Sequence, residues 1–304
     1  MKLAAIDIGS NAVRLLIEEV FEEDGGFRTQ KVSFTRIPLR LGDDVFEFGA
    51  ISHRKAVQLS KVMKAFWYLM DVHEITASRA CATSAMREAS NANDVIDLVY
   101  RESGVKIEVI DGEEEADMIF GNFSVQRIDH SKSYLYIDVG GGSTELTIIK
   151  KGQRVKSRSF KIGTVRSLMN QVTNNDWDEA FKWLKDVRKD NEELMGIATG
   201  GNINRLYKMS RRTFGELITT EELNEIYTAI AAYSFEERME RLGLKRDRAD
   251  VIIPAAEIYL RLLGEAKIKD IMVPRIGLAD GIILKQYNNL RNSVEPESRQ
   301  QAKR

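Results

Sequence analysis

Ile6-Asp7-Ile8-Gly9-Ser10-Asn11, near the start of the chain, is matched by Ile137-Asp138-Val139-Gly140-Gly141-Gly142 in its second half. In each copy an apolar strand delivers an aspartate, a turn with glycine follows, and a second apolar strand comes next, over 13–20 and 146–150. Repetition of this kind indicates a repeated structural unit. We therefore predict two related domains, each opening with a β-hairpin, at 1–128 and 129–304.

Strand and helix patterns alternate along the rest of the chain, which is typical of an α/β protein with parallel strand pairs covered by helices. A turn is predicted at 24–26, a strand over 27–40 and a helix after Ser52, which is a suitable N-cap. Long amphipathic helices are predicted over 221–242 and 248–267. The polar residues 293–304 are predicted to form a disordered tail.

Composition limits the classes of function. The 304 residues include 45 Lys and Arg against 46 Asp and Glu, for a formal net charge of −1. A general nucleic-acid binder needs a basic surplus, so no nucleic-acid partner is expected, although a local basic cleft remains open. The single cysteine, Cys81, has no partner for an internal disulfide.

The cellular location expected for the protein follows from the lengths and positions of its apolar stretches. Asp7 interrupts the only N-terminal stretch with the character of a signal peptide. No apolar run approaches the ~20 residues that span a bilayer. A soluble, cytoplasmic protein without a membrane partner is therefore expected. The helices after Glu221 are expected to pack internally, and pairing in a homodimer is the alternative.

The two glycine turns are candidate anion sites. Residues without Cβ atoms let successive backbone N–H groups converge on one concavity, which suits phosphate oxygens. The turn Gly140-Gly141-Gly142-Ser143 adds a hydroxyl donor, and Gly9-Ser10-Asn11 adds an amide and, on the next strand, Arg14. The alternative is a pair of tight hairpins in which glycine only supplies a positive φ. Two copies with the same aspartate favour the anion site.

Acidic residues beside these turns predict a metal ion. A carboxylate at a strand end would repel bound phosphate unless Mg²⁺ bridges them, and Mg²⁺ prefers one or two carboxylates plus phosphate oxygens. Asp138 and Glu145 flank the second turn and are the metal candidates, while Asp7 is placed to orient water or complete the metal shell. The alternative is that these carboxylates cap the turns through their backbone.

A general base is less evident in the pattern. His53, His73 and His130 lie in predicted helix or linker segments, without a partner residue for acid–base catalysis. The acidic run 111–115 follows a predicted strand and opens a predicted helix, where it would also complement the helix dipole without any catalytic role.

These segments resemble the exopolyphosphatase/guanosine pentaphosphate phosphatase (Ppx/GppA) family of the actin-like ATPase superfamily. The similar motifs are AIDIGSNAVRL at 5–15, ATSAMREA at 82–89, GEEEA at 112–116 and IDVGGGSTEL at 137–146. The resemblance runs through nearly the whole chain and is specific because the motifs occur together and in order. It implies two actin-like (ribonuclease H-like) domains with an active site in the cleft between them.

The resemblance also implies roles for individual residues. The glutamate that precedes alanine in the third motif, Glu115, would be the general base for an attacking water. Asp138 and Glu145 match positions associated with Mg²⁺. The residues that match phosphate-binding positions are Gly9, Ser10, Asn11, Arg14, Arg87, Gly140, Gly141, Gly142 and Ser143. A third glycine turn, Gly200-Gly201-Asn202, would face a nucleoside or more distal phosphates.

The chain departs from the family pattern at several places. Ala12 stands where serine is frequent, Ala279 where an arginine is usual, and Ala255 where glycine is frequent. The chain also ends before the additional helical domains of the longer exopolyphosphatases. These departures favour short polyphosphate chains and leave Glu115 and the second turn unchanged.

Three functions follow from the sequence. The first is Mg²⁺-dependent hydrolysis of the terminal phosphoanhydride of inorganic polyphosphate or of pppGpp. A non-catalytic protein that binds guanosine tetra- or pentaphosphate is the second. The third is an actin-like small-molecule kinase, for which the sequence shows no second-substrate signature.

Overall fold

The structure is a computed structural model that describes residues 1–23, 26–122, 128–189 and 193–301. Its first half consists of β1 (Lys2–Ile8), β2 (Val13–Glu23), β3 (Gly26–Ile37), α1 (Leu41–Phe48), α2 (His53–Val72), β4 (Ala77–Ala82), α3 (Ser84–Glu88), α4 (Ala92–Ser103), β5 (Ile107–Val109) and α5 (Gly112–Gly121). Its second half consists of β6 (Ser133–Val139), β7 (Thr144–Lys150), β8 (Gln153–Phe160), α6 (Thr164–Leu168), α7 (Asn174–Lys189), β9 (Met195–Thr199), α8 (Gly201–Met209), β10 (Ile218–Thr219), α9 (Thr220–Ala231), α10 (Phe235–Leu242), α11 (Arg246–Ala249), α12 (Ile252–Ala266), β11 (Asp270–Met272) and α13 (Leu278–Gln301).

The predicted α/β class is confirmed, and the two sheets have the same plan. The first has the order β3-β2-β1-β4-β5 and the second β10-β11-β9-β6-β7-β8. In each sheet a three-stranded antiparallel meander is followed by strands that run parallel to its first strand. The second sheet adds the short edge strand β10, which is antiparallel to β11.

The repeated sequence occupies equivalent positions in the two hairpins. Asp7 lies opposite Arg14 in the β1–β2 ladder, and Asp138 lies opposite Glu145 in the β6–β7 ladder. Both aspartates are next to last in their strand, so both turns leave their sheets in the same way. The internal repeat in the sequence is therefore a repeat in the fold.

Helix α13 packs across the boundary between the halves. It contacts α5, β1, β2 and β4 of the first half. Its apolar side chains Ile282, Ile283 and Tyr287 share a buried cluster with Leu3 and Leu16 of the first sheet. The second half thus supplies the cover for one face of the first sheet.

Two predicted helices are each interrupted. The segment 221–242 forms α9 and α10, because the Ser234 side chain accepts a hydrogen bond from the Glu237 N–H and the Glu237 carboxylate accepts one from the Ser234 N–H. This capping box starts a new helix. The segment 248–267 forms α11 and α12, and Pro254 lies in the first turn of α12, where proline is tolerated.

The predicted strand over 27–40 is too long. It ends at Ile37, and Arg40, with a φ of 55°, is the left-handed residue before α1. The predicted turn at 24–26 falls largely outside the described residues, as do residues 123–127, next to the predicted domain boundary.

The described range of α13 ends at Gln301 and so runs into the segment 293–304, for which a disordered tail is predicted. Residues 302–304 lie outside the described part of the chain. Among the helices described, none is both long and apolar enough to cross a bilayer.

Candidate active site

The two glycine turns contact each other at the base of one cleft. Each is closed by a hydrogen bond, from the Gly9 N–H to the Ala12 carbonyl at 3.1 Å and from the Gly140 N–H to the Ser143 carbonyl at 2.9 Å. A Cβ atom on Gly141 would lie 3.0 Å from the Ser10 Cβ. A Cβ at 141 would therefore lie closer to the first turn than most real Cβ contacts, which favours glycine at this position.

Both turns line a cavity of about 660 Å³ between the two halves. The predicted site residues that line it are Asp7, Gly9, Ser10, Asn11, Arg14, Glu115, Asp138, Gly140, Gly141, Ser143, Glu145, Gly200 and Gly201. The predicted residues Arg87, Gly142 and Asn202 are not among its lining residues. A Cβ on Gly142 would meet the Phe46 ring at 2.5 Å, so this glycine packs against the first half behind the cavity.

Glu115 is the member of its acidic run that faces the cavity. Asp111 caps α5 by accepting hydrogen bonds from the N–H groups of Glu113 and Glu114, which places Glu115 in the first turn. Glu114 instead pairs with Arg79 at 3.0 Å. The structure thus separates the residue that lines the cavity from its two acidic neighbours.

The Glu115 carboxylate is buried and its charge is only partly balanced. Burial raises its pKa well above the usual value, the Glu145 carboxylate raises it further, and the Arg87 guanidinium, 3.6 Å away, lowers it. Its Oε2 atom has no hydrogen-bond partner within the described residues. Arg87 also donates to the Ile110 carbonyl at 2.7 Å, which fixes it beside Glu115.

Asp138 and Glu145 form a buried carboxylate pair. Burial and the neighbouring Glu145 raise the pKa of Asp138 to about 7. Burial also raises the pKa of Glu145, although its Oε1 accepts hydrogen bonds from the Ser143 hydroxyl at 2.7 Å and the Ser159 hydroxyl at 2.9 Å. Two facing buried carboxylates with raised pKa values are suited to binding a cation in place of protons.

The carboxylate pair is of a kind that fits Mg²⁺. Within 1–23, 26–122, 128–189 and 193–301 there is no group of three His, Cys, Asp or Glu side chains arranged to hold a metal ion. Mg²⁺ is bound by one or two carboxylates and otherwise by water and substrate phosphate. The pair Asp138 and Glu145, with the unpartnered Glu115 oxygen nearby, matches that requirement.

The equivalent pair in the first half has the opposite character. Arg14 donates a hydrogen bond to the Asp7 carboxylate, so this pair is neutralised within the protein. Both residues line the cavity. One turn therefore begins beside an ion pair and the other beside two carboxylates.

Sequence reasoning missed a group of basic residues that line the same cavity. Burial, Arg36 and Arg14 lower the pKa of Arg248 to about 10, which shows how closely these cations are placed. They come from β3, α8 and α11 and from the segments just before α11 and α13, so no local motif marks them. The group comprises Lys31, Arg36, Arg205, Lys208, Lys245, Arg248 and Arg275.

Contacts across the cleft hold α11 against the first half. Asp247 accepts a hydrogen bond from Arg36, and its carbonyl accepts one from the Asn11 side chain at 3.4 Å. Asp250 pairs with Arg40. The basic wall that Arg248 belongs to is thereby fixed relative to the first turn.

Known proteins resemble this chain over most of its length. It is 30% identical to the bifunctional 3-dehydroquinate synthase/phosphatase of Fusobacterium nucleatum, over 86% of this chain and 43% of that protein, so it spans less than half of that relative. It is 24% identical to exopolyphosphatase 1 of Mycobacterium leprae, over 95% of this chain and 90% of that protein.

Solved structures share its fold. The Aquifex aeolicus member of the Ppx/GppA family superposes with a TM-score of 0.75 at 25% identity, covering 95% of this chain and 98% of that one. An exopolyphosphatase from Cytophaga hutchinsonii superposes with a TM-score of 0.82 at 22% identity and the same coverage, which shows a shared fold. The two-domain, actin-like architecture is confirmed. A model of the Ppx/GppA phosphatase family matches residues 19–290, and the chain therefore belongs to that family.

Proposed function

We propose that this protein hydrolyses the terminal phosphoanhydride of inorganic polyphosphate or of pppGpp, with Mg²⁺ at Asp138 and Glu145 and Glu115 as the general base. The observation that carries the proposal is the distribution of charged side chains around the cavity. Three carboxylates, Glu115, Asp138 and Glu145, lie beside the twin glycine turns, and seven further Lys and Arg residues line the same space. A phosphate chain is the ligand that needs both a cation site and a basic wall.

The proposed reaction uses these groups in a single displacement. Glu115 takes a proton from a water molecule whose oxygen attacks the terminal phosphorus. The bond from that phosphorus to its bridging oxygen breaks, and the shortened chain leaves with the electron pair. Because such transition states need mainly alignment and charge neutralisation, the N–H groups of the turns and Arg14 would hold the equatorial oxygens.

The raised pKa of Glu115 supports its role as a base. A carboxylate with an ordinary pKa is a weak proton acceptor at neutral pH, and burial makes it a stronger one. Bound Mg²⁺ would supply charge neutralisation at the transferred phosphoryl group. Asp138 and Glu145 would hold this ion, and their mutual repulsion would be offset when it is bound.

The names of the relatives support the substrate class. Exopolyphosphatase 1 of Mycobacterium leprae resembles the chain over almost its whole length. We include short polyphosphate chains among the proposed substrates, and guanosine penta- and tetraphosphate as alternative ligands. Within the described part of the chain, Phe34 is the one aromatic residue that lines the cavity.

Phosphate release from tripolyphosphate, long polyphosphate and pppGpp, with and without Mg²⁺, tests the proposal. We expect Mg²⁺-dependent release from at least one of them and its loss in Glu115→Gln. Tight guanosine tetraphosphate binding without any release would instead indicate a sensor. ATP-dependent modification of an acceptor without polyphosphate cleavage would indicate a kinase.

A further inference from the structure

The carbonyl groups of the second glycine turn all point towards α6. The Gly140 carbonyl accepts a hydrogen bond from the Thr164 N–H at 3.0 Å, and the Gly141 carbonyl accepts one from the Val165 N–H at 2.8 Å. The Gly142 carbonyl accepts one from the Arg166 side chain, through Nε, at 2.8 Å. Three successive peptides of the turn are therefore held from the same side.

This arrangement fixes where the amide groups of the turn point. In a trans peptide the C=O of one residue and the N–H of the next point in opposite directions. The N–H groups of Gly141, Gly142 and Ser143 thus point away from α6. None of the three donates a hydrogen bond within the described part of the chain. They are free to meet an anion.

The first turn is held in a similar way with one difference. The Ser10 carbonyl accepts from the Gly42 N–H at 2.8 Å and the Asn11 carbonyl from the Arg40 N–H at 3.0 Å. Both donors are backbone groups. At the position equivalent to Asn11, Gly142 relies on a side chain instead, so the orientation of this one peptide depends on the identity of residue 166.

Arg166 is itself fixed from the first half of the chain. Its side chain is buried and donates to the Glu88 carboxylate of α3 at 2.5 Å. Its guanidinium also lies 4.1 Å from the centre of the Phe46 ring. Glu88 follows Arg87, the residue whose guanidinium approaches Glu115. A continuous set of contacts therefore links the Gly142 peptide to the helix that neighbours the proposed base.

We infer that Arg166, held by Glu88, is a positioning residue that orients the 142–143 peptide so that the Ser143 N–H faces the phosphate. The inference rests on the proposed function for the identity of the anion. Arg166 acts from behind the turn and touches no substrate. Because its partner belongs to the other half, the second turn is in its binding form when the two halves are together.

The free protein gives the first test, independent of any ligand. In Arg166→Lys, amide ¹H–¹⁵N resonances of Gly142 and Ser143 are expected to move more than those of Ser10 and Asn11, which lie against this turn but whose carbonyls are held by backbone donors. The exposed pair Arg158 and Glu179 provides a matched control, since Arg158→Lys also replaces an ion-paired arginine of the second half. Unchanged Gly142 and Ser143 resonances in Arg166→Lys would overturn the inference.

Binding gives the second test. Tripolyphosphate is titrated calorimetrically into Glu115→Gln, so that turnover does not interfere. We expect Arg166→Lys to raise Kd by about tenfold, in line with the loss of a charge-assisted hydrogen bond. Glu88→Gln should act in the same direction, and the double variant should fall short of the product of the single effects because both act through one contact. Wild-type affinity in folded Glu88→Gln and Arg166→Lys would contradict the inference.

The two tests separate this inference from the proposed function. Displaced Ser143 resonances, without tripolyphosphate binding by the parent protein, would reject the substrate class and leave the positioning role intact. If Arg166→Lys fails to fold, Glu88→Gln carries both measurements, because it keeps the buried arginine and removes only the charge of its partner.

Discussion

Asp138 and Glu145 face each other across the β6–β7 ladder at the positions where Asp7 and Arg14 face each other across β1–β2. The two hairpins are thus equivalent, except that the residue facing the aspartate is positively charged in the first and negatively charged in the second. In the first half an arginine faces the aspartate, and in the second half another carboxylate faces it. This asymmetry is the physical basis of the metal site that we propose.

Glu115→Gln should strongly reduce turnover while retaining substrate binding. The amide keeps the shape of the side chain but accepts a proton far less readily, and general bases contribute about 10²–10⁴-fold to rate. We expect kcat to fall by at least about 100-fold with little change in the tripolyphosphate Kd. Glu114→Gln, one position earlier on α5 and paired with Arg79, is the matched control and should retain activity.

Mg²⁺ affinity should rise with pH in the neutral range. The pKa of Asp138 is raised to about 7, so below that pH a proton competes with the metal. Half-saturating Mg²⁺ should therefore fall as the pH rises through about 7 and level off above it. The measurement is phosphate release against Mg²⁺ concentration at several pH values. A half-saturating concentration independent of pH would argue against Asp138 as a ligand.

Without metal, the stability of the folded protein should fall with rising pH, whereas the Mg²⁺ affinity should increase. Because the folded-state pKa of Asp138 lies above the ordinary carboxyl value, the folded state binds the proton more tightly than the unfolded chain. The free energy of unfolding should therefore decrease as the pH rises towards about 7 and Asp138 ionises. Added Mg²⁺ should raise the melting temperature more at high pH than at low pH. Thermal unfolding with and without the metal provides the comparison, and Asp138→Asn should remove the difference.

The basic wall should matter most for long substrates. Lys208 lies seven residues beyond Gly201 on α8, which corresponds to about 10 Å along the helix. Lys208→Ala is expected to raise KM for long polyphosphate by about threefold, as for a partly exposed ion pair. KM for tripolyphosphate should stay unchanged. Lys64→Ala, an exposed lysine on α2, is the control, and an equal effect on both substrates in Lys208→Ala would refute the placement.

Gly141→Ala should separate the turns. The new methyl group would lie 3.0 Å from the Ser10 Cβ and 3.1 Å from the Asn11 N, which are closer than ordinary contacts. Overpacking of this kind costs about 1–3 kcal/mol. We expect a lower melting temperature and weaker tripolyphosphate binding. Gly264→Ala, a helical glycine with open space around its Cβ position, is the control and should retain both. Wild-type affinity in Gly141→Ala would show that the contact between the turns is not required.

The central elements of the fold were predictable from sequence because their signals are local. The strands before and after each turn carry apolar runs, and the glycines mark the point where the chain reverses. The break between α9 and α10 was also encoded locally, in Ser234 and Glu237, but the apolar helical period hid it. The strand over 27–40 was overextended because nothing in its alternation reveals the left-handed Arg40.

The residues of the candidate site also divide into those with a local sequence signal and those without one. Residues within the motifs, such as Glu115 and Asp138, were predicted from the sequence and its resemblance, and the structure brings them to one cavity. Arg36 and Arg248 were missed because they are separated by most of the chain and meet only in the folded protein. A β-bulge in the β2–β3 pairing, between Ile17 and Glu18, likewise changes the register near Lys31 in a way that the alternation of the sequence does not show.

Helix α13 has a consequence for how the molecule unfolds. The second half lends its last helix to the sheet of the first, and without it Leu3 and Leu16 would be exposed to water. A fragment that ends near residue 122 would lack this cover and would be prone to aggregate. The two halves, despite their similar plans, should therefore melt as one cooperative unit.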